Sequence, residues 1–165
     1  MSKVTQHLDP TAIPPDLAAL GAMDTPDYAD AFTLTGHPRT GHSAEEWART
    51  MFEDVIGVRA QLLWRVVMGL RLRPRWRRRP GQVAGWPVGD RGPGWIRMEA
   101  RSRAYTFHLV VRTADEAGDP ATSLGTFVRY HTARGRRRWT KYSAEHRELA
   151  PGLLRSAADT LARTP

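Results

Sequence analysis

The feature that most constrains the fold is an alternation of apolar and polar residues that extends from about residue 82 to residue 142. Short runs rich in turn-forming residues interrupt it, and strands joined by connections of hairpin length pair antiparallel. The pattern therefore predicts five strands, near residues 82–88, 95–101, 104–113, 122–132 and 136–142. An antiparallel sheet of this kind needs one face covered by other elements.

The flanking segments predict one more strand and three helices. Tyr28–Thr35 alternates and gives the first strand, and Ser43 with Glu46 forms a capping-box pattern that begins a helix. A second helix follows from Val58 to about Leu72, and a last helix is expected over residues 143–163, with Pro151 inside it. Residues 1–26 hold four prolines and little periodicity, so we expect a flexible arm before a domain that spans residues 27–165.

This element order predicts an α+β fold, in which a curved antiparallel sheet of about six strands wraps a long C-terminal helix and two short helices follow the first strand. The order resembles the helix-grip fold of the START and Bet v 1-like superfamily (SRPBCC, polyketide cyclase-like). Members of that superfamily bind lipids, polyketides and other apolar ligands. The resemblance implies a cavity between the sheet and the last helix.

Two short motifs carry a narrower resemblance. The opening motif is Pro26-Asp27-Tyr28-Ala29-Asp30-Ala31-Phe32, and the closing motif comprises Gly135-Arg136, Trp139 and the pair His146-Arg147. Both resemble motifs of an uncharacterised bacterial domain family that is sometimes fused to short-chain dehydrogenase-like proteins. Because that family has no settled activity, the resemblance implies a fold and no reaction.

Strand parity and helix periodicity select the side chains that would line an apolar cavity. Ligand pockets are mostly apolar with a few polar anchors, and the interior set suits one. A closed core filled by the same side chains is the alternative. The candidate ligand-binding residues are Trp86, Ile96, Met98, Phe107, Leu109, Val111, Phe127 or Val128, Trp139, Leu153 and Ala157.

The candidate acid–base residues are strand side chains with titratable groups, namely His108, Glu99, Tyr130 and His131. If the protein is an enzyme, we expect a cyclase- or isomerase-like reaction that depends on orientation of the substrate. Parity places His108 opposite the more apolar face, which favours an exposed or hydrogen-bonded strand histidine. We expect His146, in the first turn of the last helix, to form a structural hydrogen bond between helix and sheet.

The formal net charge is +8, and almost all of the positively charged side chains are arginines. Six of them occur within residues 71–79. The candidate anion-binding residues are Arg75, Arg77, Arg78, Arg136 and Arg138. A basic module that binds nucleic acid or an acidic protein is the alternative function. However, arginine in place of lysine, with abundant alanine, glycine and proline, is also typical of GC-rich coding.

Cofactor and metal motifs are not found in the sequence. There is no cysteine, no HExxH pattern, no GxSxG nucleophile motif and no glycine-rich phosphate loop of Walker or Rossmann form. We therefore expect no metal and no cofactor. We also expect a cytoplasmic protein without a membrane span, because charged residues interrupt the longest apolar segment, from Val55 to Leu72.

Overall fold

A computed structural model describes residues 1–73, 79–116 and 118–164 of the chain. Within these residues, seven strands form one antiparallel sheet in the order β1-β2-β7-β6-β5-β4-β3, and four α-helices accompany it. The strands are β1 (Lys3–His7), β2 (Tyr28–Thr35), β3 (Gln82–Val83), β4 (Trp86–Gly92), β5 (Trp95–Arg101), β6 (Tyr105–Glu116) and β7 (Asp119–Tyr130). The helices are α1 (Pro15–Gly21), α2 (Ala44–Arg49), α3 (Val58–Leu62) and α4 (Ala133–Ala162).

The predicted α+β class is confirmed, with a curved antiparallel sheet and a long C-terminal helix consistent with a helix-grip fold. Strand β5 has the bounds that the alternation predicts, because its apolar and charged residues alternate without interruption. Strands β6 and β7 pair over their whole length, from Tyr105 opposite Tyr130 to Glu116 opposite Asp119. A register shift between Val88 and Asp90 interrupts the pairing of β4 with β5, as a bulge does when it bends a sheet edge.

The two faces of the sheet bury two separate clusters of apolar side chains. On the concave face, Phe32, Met98 and Leu124 belong to a large core shared with α2, with α4 and with the segments that follow α2 and α3. On the convex face, Val110 and Phe127 belong to a small core shared with α1. Side-chain parity thus decides which residues lie between the sheet and α4.

The first 26 residues differ from the flexible arm that we expected. β1 pairs antiparallel with β2, and α1 packs on the convex face of the sheet. The prolines begin local structure, because Pro15 occupies the first turn of α1, where a helix needs no N–H donor. Gly21 permits α1 to approach the sheet closely, because a Cβ at this position would lie 2.8 Å from the Phe127 ring.

The predicted strand over residues 136–142 is wrong, and this segment is the beginning of α4. The Thr132 side chain accepts a hydrogen bond of 2.9 Å from the Gly135 amide and caps the helix there. Gly135, Trp139 and Ser143 are buried at intervals of four residues, which is helical spacing. The aromatic residues that suggested a strand are thus inward-facing helix positions.

Both helices between β2 and β3 continue as π-helix. The π segments are Thr50–Val55 after α2 and Leu63–Val67 after α3. The predicted helices therefore exist, and the second ends earlier than Leu72. π-Helix is rare, and it frequently occurs at functional sites. These two segments lie over the concave face and contribute to the cavity described below.

The Thr132 cap gives a test of the revised start of α4. We expect Thr132→Ala to lower the free energy of unfolding by about 1 kcal/mol, because the Gly135 amide loses its acceptor. Thr140→Ala in the same helix is the matched control, because the Thr140 hydroxyl bonds only to the exposed Arg136 carbonyl and its loss should change stability by no more than about 0.5 kcal/mol. Urea denaturation measures the free energy of unfolding of both variants. Equal losses of stability would contradict the role of Thr132 as the helix cap.

Candidate functional site

A cavity of about 790 Å³ lies between the concave face of the sheet, α4 and the two π-containing helices. Its wall is mainly aromatic and aliphatic, with a few polar side chains. The side chains that shape it include Phe52, Leu63, Trp64, Trp86, Phe107, Leu109, Leu124, Thr126, Trp139, Tyr142, His146 and Leu153. A volume of this size lies within the range of small-molecule pockets in proteins.

The structure divides the candidate ligand-binding residues into three groups. Trp86, Phe107, Leu109, Trp139 and Leu153 lie in the wall of the cavity. Another group is buried in the same core but does not reach the cavity: Ile96, Met98, Val111, Val128 and Ala157. Phe127 lies on the convex face beneath α1, so of the two residues left open at this position, Val128 faces the concave side.

A buried carboxylate lies next to the cavity. Asp30 is on β2, fully buried, and points to the concave side opposite Thr126 of β7. Its Oδ2 atom lies 3.2 Å from Nε2 of His146 on α4, and Oδ1 lies 3.4 Å from the same nitrogen. The Thr126 hydroxyl is 3.3 Å from this nitrogen as well. Since His146 and Thr126 both belong to the cavity wall, the cluster gives the cavity a polar side.

Tyr28 and Arg147 hold the Asp30 carboxylate from the other side. The Tyr28 hydroxyl donates to Asp30 Oδ2, and Arg147 Nε donates to the Tyr28 hydroxyl at 3.0 Å. The Arg147 guanidinium also lies over the Tyr28 ring, 5.0 Å from its centroid. Burial, followed by the charge of Asp30, raises the pKa of the Tyr28 hydroxyl above its usual value. Tyr28 therefore stays protonated and acts as a donor.

Aromatic rings surround His146 within the wall. Its ring centroid lies 5.6 Å from that of Trp139 and 6.3 Å from that of Phe32. The indole N–H groups of Trp86 and Trp139 are buried and make no hydrogen bond with any described residue. Buried donors of this kind normally have a partner, but neither nitrogen presents surface to the cavity, so both indoles contribute apolar ring surface to the wall.

The candidate catalytic pair His108 and Glu99 lies on the wrong side of the sheet for this cavity. His108 is buried under α1, where Nδ1 donates to the Gly21 carbonyl at 2.7 Å. Its Nε2 lies 3.9 Å from Glu99, which accepts a hydrogen bond from Arg97. This arrangement is that of a hydrogen-bonded strand histidine, which was one of the two forms that strand parity favoured. His108 connects α1 to the sheet.

Tyr130 and His131 are also remote from the cavity wall. Tyr130 is half-buried at the end of β7, with the Arg136 guanidinium 5.1 Å from its ring centroid. His131 is exposed and hydrogen-bonds through Nε2 to the Thr106 hydroxyl at 2.9 Å. The four candidate catalytic residues therefore do not form one site in this structure.

The candidate anion-binding arginines have structural partners where the structure describes them. Arg138 donates to the Val67 carbonyl at 2.6 Å and ties α4 to the π segment after α3. Arg136 stacks on Tyr130 and lies 3.8 Å from Asp27. Arg75, Arg77 and Arg78 lie outside the described residues. The two described arginines thus take part in contacts within the fold.

Within residues 1–73, 79–116 and 118–164, no three His, Asp or Glu side chains are grouped so that they could hold a metal ion. None of the helices described there combines the length and apolarity needed to cross a bilayer.

The sequence reasoning did not select Asp30, Tyr28 or His146 as site residues. His146 was expected in the first turn of a helix, but α4 begins at Ala133, so the residue lies in the middle of the helix. A signal was nevertheless present. Tyr28 and Asp30 belong to the opening motif and His146 and Arg147 to the closing motif, and the two motifs meet across 116 residues of sequence.

The comparisons with known proteins give only a distant likeness to solved structures. No family model matches the chain, and no curated protein matches it. Among solved structures, CalU16 from Micromonospora echinospora is similar at 7% sequence identity and a TM-score of 0.34, over 98% of this chain and 96% of that chain. At this level of likeness, nothing about a ligand or a reaction follows for this chain. The narrower motif resemblance stays a prediction.

His108 gives a test of the convex face through pH. Burial is the main cause that lowers its pKa, with Glu99 acting in the opposite direction and Arg97 and Arg101 in the same direction. Below about pH 6.5 the unfolded chain therefore binds the proton more readily than the folded protein, and stability falls on acidification. We expect His108→Gln, which keeps a donor for Gly21, to weaken the fall in the free energy of unfolding between pH 7 and 5.

The exposed His131 provides the matched control for this measurement. His131→Gln should keep the pH dependence of the parent protein, since that side chain lies at the surface. An unchanged pH dependence in His108→Gln, measured by urea denaturation at each pH, would contradict the buried neutral state of His108.

Proposed function

We propose that the protein binds an apolar small molecule, lipid- or polyketide-like in character, in the cavity between the sheet and α4. The observation that carries this proposal is a cavity of about 790 Å³ with a largely apolar wall, in which His146 and Thr126 lie next to the buried Asp30. Pockets for small molecules combine these two properties, with apolar contacts for affinity and few polar groups for orientation.

The distribution of polar groups supports an orientation for the ligand. Trp86, Phe107 and Leu109 offer apolar surface on the sheet side, while His146 belongs to the helix side. An apolar body would therefore lie against the sheet, and a polar group would lie near His146. Removal of apolar ligand surface from water stabilises such a complex by roughly 25 cal/mol per Å², before the cost of immobilisation.

A cyclase- or isomerase-type reaction is the catalytic form of this proposal. An apolar wall can hold a flexible chain in one conformation, and orientation alone lowers reaction barriers substantially. The wall holds one histidine that could exchange a proton with a ligand, His146. The candidate residues on the convex face would not take part, because the sheet separates them from the cavity.

The basic-module alternative has less support from the described residues. Arg136 and Arg138 already contact Tyr130, Asp27 and the Val67 carbonyl. A module of this kind should bind DNA or RNA with a steep dependence on salt, and a six-phosphate contact gives a slope of about −5. Such binding without any response to apolar compounds would favour the alternative over the cavity.

Ligand binding predicts thermal stabilisation by apolar compounds. With long-chain fatty acids and hydrophobic ketones as probes, we expect the free energy of unfolding to rise by about 2.7 kcal/mol at a hundredfold excess over the dissociation constant. Differential scanning fluorimetry measures the shift, and glycerol at the same concentration is the polar control. A panel in which no compound shifts the melting temperature would contradict the proposal.

Two substitutions on one strand distinguish a cavity from a filled core. Leu109 lines the cavity, while Val111, two residues along the same face of β6, is fully buried outside its wall. We expect Leu109→Phe to fold with little loss of stability and to weaken probe binding, because the added ring occupies free space. Val111→Phe should destabilise by roughly 1–3 kcal/mol, since no space receives the ring.

Urea denaturation and the probe titration together measure this pair. Equal destabilisation by the two substitutions would mean that Leu109 has no free space beside it.

A further inference from the structure

We propose that His146 is a general base in the cavity, oriented by Asp30, and that it moves a proton on an apolar ligand that carries a carbonyl group. This inference rests on the proposed function, because it needs a ligand in the same cavity. It adds a reaction class, proton transfer at a carbon next to a carbonyl, and assigns the residue that performs it.

The hydrogen bonds of His146 determine which nitrogen is free to act as the base. Both Asp30 oxygens and the Thr126 hydroxyl lie near Nε2, at distances of 3.2 Å, 3.4 Å and 3.3 Å. A carboxylate accepts hydrogen bonds, so the proton of the neutral ring lies on Nε2. Nδ1 then carries the lone pair, and it makes no hydrogen bond with a described residue. Since the side chain lines the cavity, Nδ1 is the nitrogen available to a ligand.

Asp30 acts as a positioning residue in this arrangement. It is fully buried, and Tyr28 and Arg147 hold its carboxylate in place through a chain of hydrogen bonds. A carboxylate behind a histidine fixes the tautomer and stabilises the imidazolium that forms when the base takes up a proton. Asp30 itself does not reach the cavity wall.

The carbonyl group follows from what an imidazole can deprotonate. Of the C–H groups in an apolar molecule, one next to a carbonyl loses its proton most readily, because the negative charge moves to the oxygen. The cavity wall also contains two side chains that can donate a hydrogen bond to that oxygen, Arg59 and Tyr142. A ligand of this class would place the carbon next to its carbonyl against His146.

The proposed step is balanced without any co-reactant. Nδ1 of His146 takes the proton from the carbon next to the carbonyl, and the electron pair of the C–H bond forms a C=C bond. The carbonyl π pair moves to oxygen and gives an enolate. The imidazolium then returns the proton to carbon, at the same position or further along a conjugated chain, so the net change is exchange or isomerisation.

The tautomer of His146 tests the geometry without a ligand. We expect long-range ¹H–¹⁵N correlation spectra of the whole ¹⁵N-labelled protein at pH 8 to show His146 as the neutral Nε2–H tautomer. In Asp30→Asn the preference for this tautomer should weaken, because the carboxylate acceptor is lost. A parent protein with His146 in the Nδ1–H form would overturn the proposal.

Proton exchange tests the chemistry with defined probes. The rate at which 2-tetralone and 2-undecanone exchange their α-protons for deuterium in D₂O is measured by NMR with the whole protein. We expect the parent protein to accelerate this exchange and His146→Gln to show only the rate in buffer. Asp30→Asn should exchange the protons about a hundredfold more slowly than the parent protein. His131→Gln, an exposed histidine outside the cavity, is the control and should keep the parent rate.

Binding of the same two ketones, measured by their effect on the melting temperature, separates this inference from the proposed function. Ketones that bind the parent protein and exchange at the buffer rate would overturn the general base and leave the binding function standing. An acceleration that survives in a folded His146→Gln variant would also overturn it. If neither ketone binds, the inference fails together with the class of ligand on which it rests.

Discussion

The fully buried carboxylate of Asp30 is the constraint on which the arrangement of sheet and terminal helix depends. An ion taken out of water costs several kcal/mol unless donors replace its hydration. Tyr28 supplies one donor from the same strand, and His146 supplies another from α4, at 3.2 Å. Since α4 is far along the chain from β2, this pair fixes the helix against the concave face.

The cavity is a consequence of where that helix is held. Trp139, Leu154 and Leu161 of α4 are buried in the same core as the concave side chains of the sheet. Opposite them, the π segments bring Phe52, Leu63 and Trp64 over the open side of the sheet. The Arg138 side chain joins the two walls through the Val67 carbonyl. The empty volume is thus bounded by elements that other contacts hold in place.

Much of this fold was accessible from the sequence, because period-two alternation and turn residues are local signals. They gave β5 with its correct ends and the antiparallel order of β5, β6 and β7. Local signals failed at residues 136–142, where Trp139 and Tyr142 suit a strand as well as a helix, and the Thr132 cap decided for the helix. They failed again for residues 1–26, whose prolines begin a helix and a 3-10 turn.

The site could not be derived in the same way, because its members lie on different elements. Alternation places Asp30 on the side of Tyr28 and Phe32, but nothing local shows that a histidine of the last helix meets it. Only the two motifs, considered together, contained all four residues. Strand parity correctly placed His108 on the face opposite the apolar one. The hydrogen bond between His108 and the Gly21 carbonyl of α1 explains why the side chain is buried there.

His108 on the sheet and His146 on α4 show why access, and not residue type, separates a structural role from a chemical one. His108 and His146 each lie near a carboxylate, but His108 is covered by α1, whereas His146 borders free volume. Apolar residues in place of a buried charged network often stabilise a protein or leave its stability unchanged. The contribution of the Asp30 network therefore lies in the position that it gives α4 and His146, more than in stability that apolar residues could also supply. This network lies next to a cavity that a ligand could enter. Functional sites are expected to depart in this way from the best packing.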